Sequence, residues 1–268
     1  MTQLTPARFL EEFDAILETY PKNARPSISK DRDKYYEELS VCGAALEKIG
    51  VCNRPLKILD VGCGAGNFLL LAQRLFSNVQ VFGVDRFIEF EPEQNRVMGT
   101  KTDVIKRMTS AGVTVSDDNP VTMDYFSGER FDLITCFDVI EHIPSGMPAF
   151  MKKMYSKVET GGFLVVSTPN QVHLWNRMKC LLGRNTWEDW SYYISCDQFF
   201  GHVRELTFGE LQALASSISN NAKILGRTQQ LNPASEFRMY RRVKTVVKFL
   251  IDRCSPKLSY SLFALLPK

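Results

Sequence analysis

Apolar residues fall in short runs separated by stretches of helical spacing, the alternation expected of a mostly parallel sheet with helices on both faces. Phe9, Phe13, Ile16 and Leu17 recur at helical spacing behind Thr5-Pro6, a cap and first-turn pair, and a second helix is expected from Ser29 to about Ile49. The run Ile58-Leu59-Asp60-Val61 then leads through Gly62-Cys63-Gly64-Ala65-Gly66-Asn67 into Phe68-Leu69-Leu70-Leu71-Ala72. That is a buried strand, a tight turn and a helix start. Gln80 to Asp85 reads as a second strand ending in an acid, and Glu93 to Ala111 as a helix stopped by Gly112. Val113 to Val115 and Phe131 to Phe137 follow as strands, the latter nearly all apolar, as befits a strand covered on both faces. Ser145 to Glu159 is expected to be helical and to end at Gly161-Gly162 before a strand that Pro169 stops. Thr207 to Ser219 carries a capping box with Glu210, Lys223 to Gln229 and Tyr260 to Leu266 read as strands, and 236–253 as a basic amphipathic helix.

Composition narrows the function classes. An apolar content of 44% with 24% charged residues is that of an ordinary globular chain, and 268 residues suffice for one large α/β domain. A net charge of +3 is too small to imply a nucleic-acid partner by itself. The seven cysteines include no Cys-x-x-Cys pair, which excludes a zinc knuckle and a thioredoxin-type site. Without a signal peptide, a reduced cytoplasmic location is the expectation. No apolar run approaches the length of a membrane span. The basic helix over 236–253 could touch a membrane surface or hold an anion, and a solvated basic face explains it equally well.

The glycine turn carries the first chemistry. Glycines stand where φ is positive or where a ligand touches bare backbone, and the following helix aims its free N–H groups at the turn. An acid at the tip of the second strand, here Asp85, is placed to accept from two ribose hydroxyls. A dinucleotide fingerprint would need Gly-x-Gly-x-x-Gly, but position 67 is Asn and the third glycine comes one residue early. Asp60 adds negative charge beside the turn, which suits a cationic ligand better than a diphosphate.

Asp60-Val61-Gly62-Cys63-Gly64-Ala65-Gly66 resembles motif I of the class I S-adenosylmethionine-dependent methyltransferases. The resemblance continues through Phe131 to Pro144, Gly161 to Asn170 and Gly201 to Thr207, and covers roughly residues 55 to 230. It implies a Rossmann-like, doubly wound seven-stranded sheet of order 3-2-1-4-5-7-6 with an antiparallel last strand. Residues 1–52 would form an N-terminal helical cap, 53–170 the cofactor-binding core, 171–206 an aromatic lid and 207–268 the completion of the sheet. The resemblance further implies S-adenosylmethionine contacts at Asp60, Gly62, Cys63, Gly64, Gly66, Asp85, Arg86 and Phe137. An adenine partner is expected at Asp117 or Asp118, with Asp124 as competitor.

Methyl transfer from a sulfonium is an in-line displacement, so its catalysis is chiefly positioning, and a hydroxyl acceptor also needs a base. The three histidines, His142, His173 and His202, all lie in the acceptor half. Glu141, His142 and His202 are the candidates for acceptor chemistry. Asp138-x-x-Glu141-His142 with His202 downstream is similar to the Glu-x-x-Glu-His plus distant His that holds a divalent metal in small-RNA 2′-O-methyltransferases. It also resembles the Glu-x-x-Glu-His element of ubiquinone-pathway O-methyltransferases. Asp138 shortens the first position. Such a metal, held by Asp138, Glu141, His142 and His202, would lower the pKa of an attacking oxygen. All three tryptophans fall within 171–200, which is either a substrate-facing lid or a local mini-core. Tyr35 and Tyr36 in the cap could also face substrate. The favoured acceptor is a sugar or other small metabolite. RNA 2′-O-methylation would require a continuous basic surface, and a non-enzymatic cofactor-binding subunit would need the glycine half alone.

Overall fold

A computed structural model describes residues 4–50, 52–88, 98–122, 124–187, 190–195, 201–227 and 255–268. At its centre β1 (Leu56–Val61) lies parallel to β4 (Phe131–Phe137), with Ile58 opposite Leu133 and Asp60 opposite Thr135. From β1 the chain steps outward to β2 (Val79–Val84) and β3 (Thr114–Ser116); from β4 it steps the other way to β5 (Val158–Pro169). β6 (Lys223–Arg227) and β7 (Ser261–Pro267) complete the order β3-β2-β1-β4-β5-β7-β6, and β7 runs antiparallel to both of its neighbours. This is the sheet the sequence led us to expect. Strand order reverses between β1 and β4, and in an open α/β sheet ligands bind at that reversal, outside the strands' C-terminal ends.

Alternate residues of each strand feed opposite layers. Ile58, Leu133, Val165 and Phe263 pack beneath α1 (Pro6–Leu17), α3 (Arg32–Ile49) and α4 (Asn67–Leu75). Leu59, Ile134, Val166 and Ala264 pack against α6 (Met147–Ser156) and α9 (Phe208–Ser216). Both faces of β4 are therefore covered, which explains its unbroken apolar run.

Three expected boundaries shift. The helix begun at Ser29 is two: α2 (Arg25–Lys30) ends at Asp31 and α3 starts beyond it. The helix expected from Glu93 to Ala111 is described as α5 (Lys101–Ser110), started by a capping box between Thr100 and Asp103. Gly161-Gly162 does not precede the strand but lies inside β5, where a Cβ on Gly162 would stand 2.4 Å from the Asp132 carbonyl oxygen. Residues 140–142 form a single 3-10 turn. Among its described residues the aromatic insertion holds two short helices, α7 (Leu174–Leu181) and α8 (Trp190–Ser195). The basic helix expected over 236–253 lies outside the described residues.

Candidate active site

The glycine turn links β1 to α4 with Gly62, Gly64 and Gly66 all at positive φ. Two of these glycines are also packed tightly. A Cβ on Gly62 would lie 2.4 Å from Val139 Cγ2, and one on Gly66 2.2 Å from Met108 Sδ. Gly64 differs, because nothing stands within 4 Å of its Cβ position. Its N–H donates to Asp85 Oδ2 at 2.9 Å, while the Phe87 N–H donates to Asp85 Oδ1 at 2.8 Å. Asp85 is thereby fixed across the turn, with lone pairs left on both oxygens. Arg86 is exposed beside it.

Asp60 is buried at the end of β1 and accepts from Thr135 Oγ1 at 2.7 Å. Burial pushes its carboxyl up to about 7, against the pull of the Thr135 hydroxyl. Cys63 is buried under the turn, and Phe137 packs edge-on against Phe68 with ring centres 5.0 Å apart. The tip of β3 reaches this edge, where the Asp85 N–H donates to the Ser116 carbonyl at 3.2 Å. Asp118, half-buried there, accepts from Ser116 Oγ at 2.5 Å. Asp117 is exposed and pairs with Lys101 at 3.1 Å; Asp124 pairs with Lys157 at 2.9 Å. Of the three acids, Asp118 is the one bound to Ser116, whose carbonyl meets Asp85.

The N-terminal segment clasps the turn through Tyr20, which sequence reasoning passed over, and Tyr35, which it offered as a residue facing substrate. Asn67 accepts at Oδ1 from the Tyr20 hydroxyl and donates from Nδ2 to the Tyr35 hydroxyl at 2.9 Å. Tyr36 packs edge-on against Phe9 and not toward the site. Lys34 Nζ meets Asp138 Oδ2 at 2.6 Å. Burial disfavours the Lys34 charge, but the Asp138 and Glu38 carboxylates outweigh it and raise its pKa.

On the acceptor side, the 3-10 turn at 140–142 brings Glu141 and His142 to the sheet edge, and backbone hydrogen bonds carry in the third residue. The N–H groups of Val203 and Arg204 donate to the Glu141 carbonyl at 2.8 and 3.0 Å. His202 is thereby set beside His142, with ring centres 4.9 Å apart. One potential ligand atom from each of Glu141, His142 and His202 lies within 4.8 Å of the other two. The tautomers follow from the partners. His142 Nδ1 faces the Gly201 carbonyl at 3.2 Å and His202 Nδ1 faces Glu205 Oε1 at 2.7 Å, so both Nδ1 atoms donate. That leaves Nε2 of each ring as the atom toward the cluster, with His202 Nε2 3.9 Å from Glu141 Oε1. Glu141 is fully buried; its Oε2 accepts from Thr168 Oγ1 at 3.1 Å, and its Oε1 has no hydrogen-bond partner. Burial, with the nearby Asp138 charge, pushes the Glu141 carboxyl up to about 8.

Asp138 does not join this cluster. Its backbone is left-handed, at φ 51°, and its carboxylate accepts from Ser167 Oγ at 2.9 Å while pairing with Lys34. Of the four residues expected from the sequence, Glu141, His142 and His202 come together, while the Asp138 carboxylate is engaged by Lys34. His173 does not join the cluster either; it caps α7, accepting at Nδ1 from the Trp175 N–H, and lines the same cleft as His202. Glu205, three residues after His202, is a partner that the sequence reading did not single out. His202 and Glu205 also form one end of a cleft of about 420 Å³, whose walls include Tyr260, Trp175, Trp187 and Lys179.

A family described as a methyltransferase domain matches residues 32–214, which takes in the turn, Asp85 and the Glu141–His202 cluster. The chain belongs to the S-adenosylmethionine-dependent methyltransferases. It is 31% identical over 123 residues to a ubiquinone biosynthesis O-methyltransferase of Bradyrhizobium diazoefficiens, which spans 45% of this chain and 42% of that protein. It is 28% identical over 178 residues to a mitochondrial ubiquinone biosynthesis O-methyltransferase of Candida albicans, across 60% of this chain and 51% of the relative. The chain thus matches about half the length of these curated relatives or less. Among solved structures, a cyclopropane-fatty-acyl-phospholipid synthase-like protein from Lactobacillus casei shares the methyltransferase fold at a TM-score of 0.55. It is 16% identical and is covered over 98% of its length by 95% of this chain.

Proposed function

We propose that this methyltransferase transfers the methyl group of S-adenosylmethionine to a hydroxyl of a small acceptor, a sugar or other hydroxylated metabolite, seated in the cleft beside His202. The observation that carries this reading is the convergence of Glu141, His142 and His202 at the sheet edge, with both histidines held in the tautomer that presents Nε2. The turn would bind the cofactor through Gly64 and the ribose through Asp85, with Asp118 toward adenine. The relatives' names describe O-methylation, which supports oxygen as the atom methylated. The modest cleft favours a small ring system over a polynucleotide.

The resemblance to metal-using O-methyltransferases asks whether these residues suit a divalent cation, and they do. A buried carboxylate oxygen without a hydrogen-bond partner would otherwise be costly. Two imidazoles and one carboxylate form a mixed set suited to transition-metal cations, and Glu205 orients His202 as an outer partner. Glu141, His142 and His202 would hold the ion; when bound, it supplies a Lewis acid that lowers the pKa of the acceptor hydroxyl.

The residues of the chain do the rest. In the transfer the acceptor oxygen forms its bond to the methyl carbon as the carbon–sulfur bond breaks, the electron pair leaves on sulfur, and the hydroxyl proton passes to an imidazole Nε2 of the cluster, or to water where the imidazoles hold an ion. Asp85 and the glycine turn fix the donor for in-line approach. Glu205 keeps a proton on His202 Nδ1 and so keeps the ring's Nε2 toward the cluster.

The test combines calorimetric titration with S-adenosylhomocysteine, metal analysis of the purified protein by mass spectrometry, and labelled-methyl transfer to vicinal diols and catechols. The expected result is cofactor binding in wild type, Glu141→Gln and His202→Ala alike, with bound metal and transfer lost in both variants. Cofactor binding with no transfer to any hydroxylated acceptor would overturn the proposal. Unchanged metal content in the variants would remove the ion from it.

A further inference from the structure

The donor site runs along the tips of the strands. Asp118 lies beyond the tip of β3, Asp85 at that of β2, and Asp60 and the glycine turn at that of β1. A donor with its adenine by β3 and its ribose by β2 lays its methionine half over β1 and β4; this placement rests on the function proposed above. The groups gathered there are mostly carboxyls. Asp60 lies near the end of β1, Asp138 follows β4, and α3 brings in Glu38 one turn after Lys34. Glu38 is 1% exposed, and its Oε1 accepts no hydrogen bond. Lys34 Nζ stands 3.9 Å from that oxygen but is engaged at 2.6 Å by Asp138 Oδ2.

The surroundings of Glu38 leave it short of positive charge. On its own helix it is faced by Lys34, Tyr35, Glu37 and Cys42, and from the sheet by Asp60 and Asp138. Beside Asp60 stand Asp85, Cys63 and Cys136. Among these described residues one ammonium, that of Lys34, meets the carboxyls of Glu37, Glu38, Asp60 and Asp138. Burial pushes Glu38 well above the carboxylate range against the pull of Lys34, and it pushes Asp60 up to about 7. A proton is therefore held between the two near neutrality. S-adenosylmethionine brings a sulfonium charge to this end of the site. S-adenosylhomocysteine carries the same adenine, ribose, ammonium and carboxylate, but its sulfur is a neutral thioether. We propose that Glu38 distinguishes donor from product: the sulfonium expels a proton from the buried Glu38–Asp60 pair to solvent, and loss of that charge lets the pair take one back.

The charge of the buried end is thereby the same before and after transfer. One positive charge enters with the donor as one proton leaves, and methyl transfer removes the first while the second returns. The sign of the pH dependence follows. The free protein holds a proton that the donor complex lacks, so donor affinity rises with pH until the free pair itself ionises. Product affinity lacks this gain. A preference for donor over product should therefore strengthen from pH 6 to pH 7.5, by at least about threefold and at most about tenfold per pH unit for one proton.

The experiment is isothermal titration calorimetry of the full chain, without acceptor, using S-adenosylmethionine and S-adenosylhomocysteine in turn. Each titration is run in two buffers of different ionisation heat, which counts the protons exchanged. Wild type and the isosteric Glu38→Gln are compared, so that protons exchanged by the ligands themselves cancel. The excess of protons released by donor over product should fall in the variant by at least about half a proton, and the pH dependence of the Kd ratio should flatten. Glu38→Met, which removes the unbonded oxygen altogether, serves where the Gln variant does not fold, since an apolar replacement of a buried ionic group is often tolerated. If Glu38 merely packed α3, the variants would move both Kd values alike and leave the proton excess unchanged. That result, or a wild type that exchanges equal protons with both ligands, would overturn the proposal. The donor's placement is tested separately by Asp85→Ala, and failure of methyl transfer to every acceptor would leave the proton count intact.

Discussion

Asp85 offers a stringent test of the cofactor half of the site. Its two carboxylate oxygens each already accept one backbone N–H, from Gly64 at 2.9 Å and from Phe87 at 2.8 Å. Asp85→Asn therefore cannot be silent in either amide orientation, because the NH2 group must face one of those two donors. Asp85→Ala removes both bonds and the lone pairs proposed to meet the ribose. A hydrogen bond to a charged group contributes about 1.5–3 kcal/mol, so losing two ribose contacts should cost about 3–6 kcal/mol. That corresponds to an S-adenosylhomocysteine Kd raised by roughly two to four orders of magnitude. Isothermal titration calorimetry measures this directly, and thermal denaturation of the ligand-free variants separates it from damage to the turn. If Asp85 only braced the turn, both variants would lower Tm while Kd moved by less than about tenfold. Binding by Asp85→Ala within about threefold of wild type would refute the ribose assignment.

Three further outcomes are expected. Asp60 is pushed up to about 7 by burial while its unfolded value is near the ordinary ~4, so the native state binds the extra proton. Its contribution is full below about pH 4 and is lost as pH rises to about 7; Asp60→Asn, neutral throughout, should gain on wild type across that window by up to roughly 4 kcal/mol. Urea denaturation at pH 5 and pH 8 reads this, and a gap that does not change with pH would contradict it. Gly66→Ala should cost roughly 2–4 kcal/mol, combining left-handed strain with the Met108 clash, whereas Gly64→Ala should cost only about 1–2 kcal/mol. Equal losses in chemical denaturation would show that packing at Met108 does not limit the turn. Tyr20→Phe should destabilise by about 1–2 kcal/mol by leaving Asn67 Oδ1 short of a donor, and a Tm unchanged within error would count against the clasp.

What was legible in the sequence was local in the chain. The turn from β1 to α4 could be read because positive φ at Gly62, Gly64 and Gly66 is specified by those residues themselves. Asp85 was legible because strand length fixes where an acid leaves the sheet. The clasp was not, since Tyr20 lies in the link between α1 and α2 and Tyr35 on α3, and nothing in their spacing marks either as a partner of Asn67. Asp138 shows the same limit. Its distance from Glu141 along the chain suited a shared ligand set, but Lys34, brought in by tertiary packing, takes its carboxylate. Gly161 and Gly162 were read as a helix stop because glycine disfavours helix and strand alike. At Gly162 it serves a close approach of the Asp132 backbone, which only the pairing of β4 with β5 creates.

The excursion that leaves β5 returns almost to where it left. Asn170 forms a bridge with Leu206, the Gln171 N–H donates to the Leu206 carbonyl at 3.2 Å, and Asn170 Nδ2 is tied to the carbonyls of Lys257 and Ser259 at 3.0 and 2.8 Å. A segment with both ends stapled at one point can change length and content at little cost to the sheet, since loop closure depends only weakly on length. It behaves as a cassette. Yet His202 and its partner Glu205 lie inside the cassette, while Glu141 and His142 lie outside it. Grafting a foreign excursion between Asn170 and Leu206 would therefore exchange one member of the reactive cluster together with the recognition surface. Donor binding would survive almost any such swap; chemistry would survive only those that bring a histidine back to the same place.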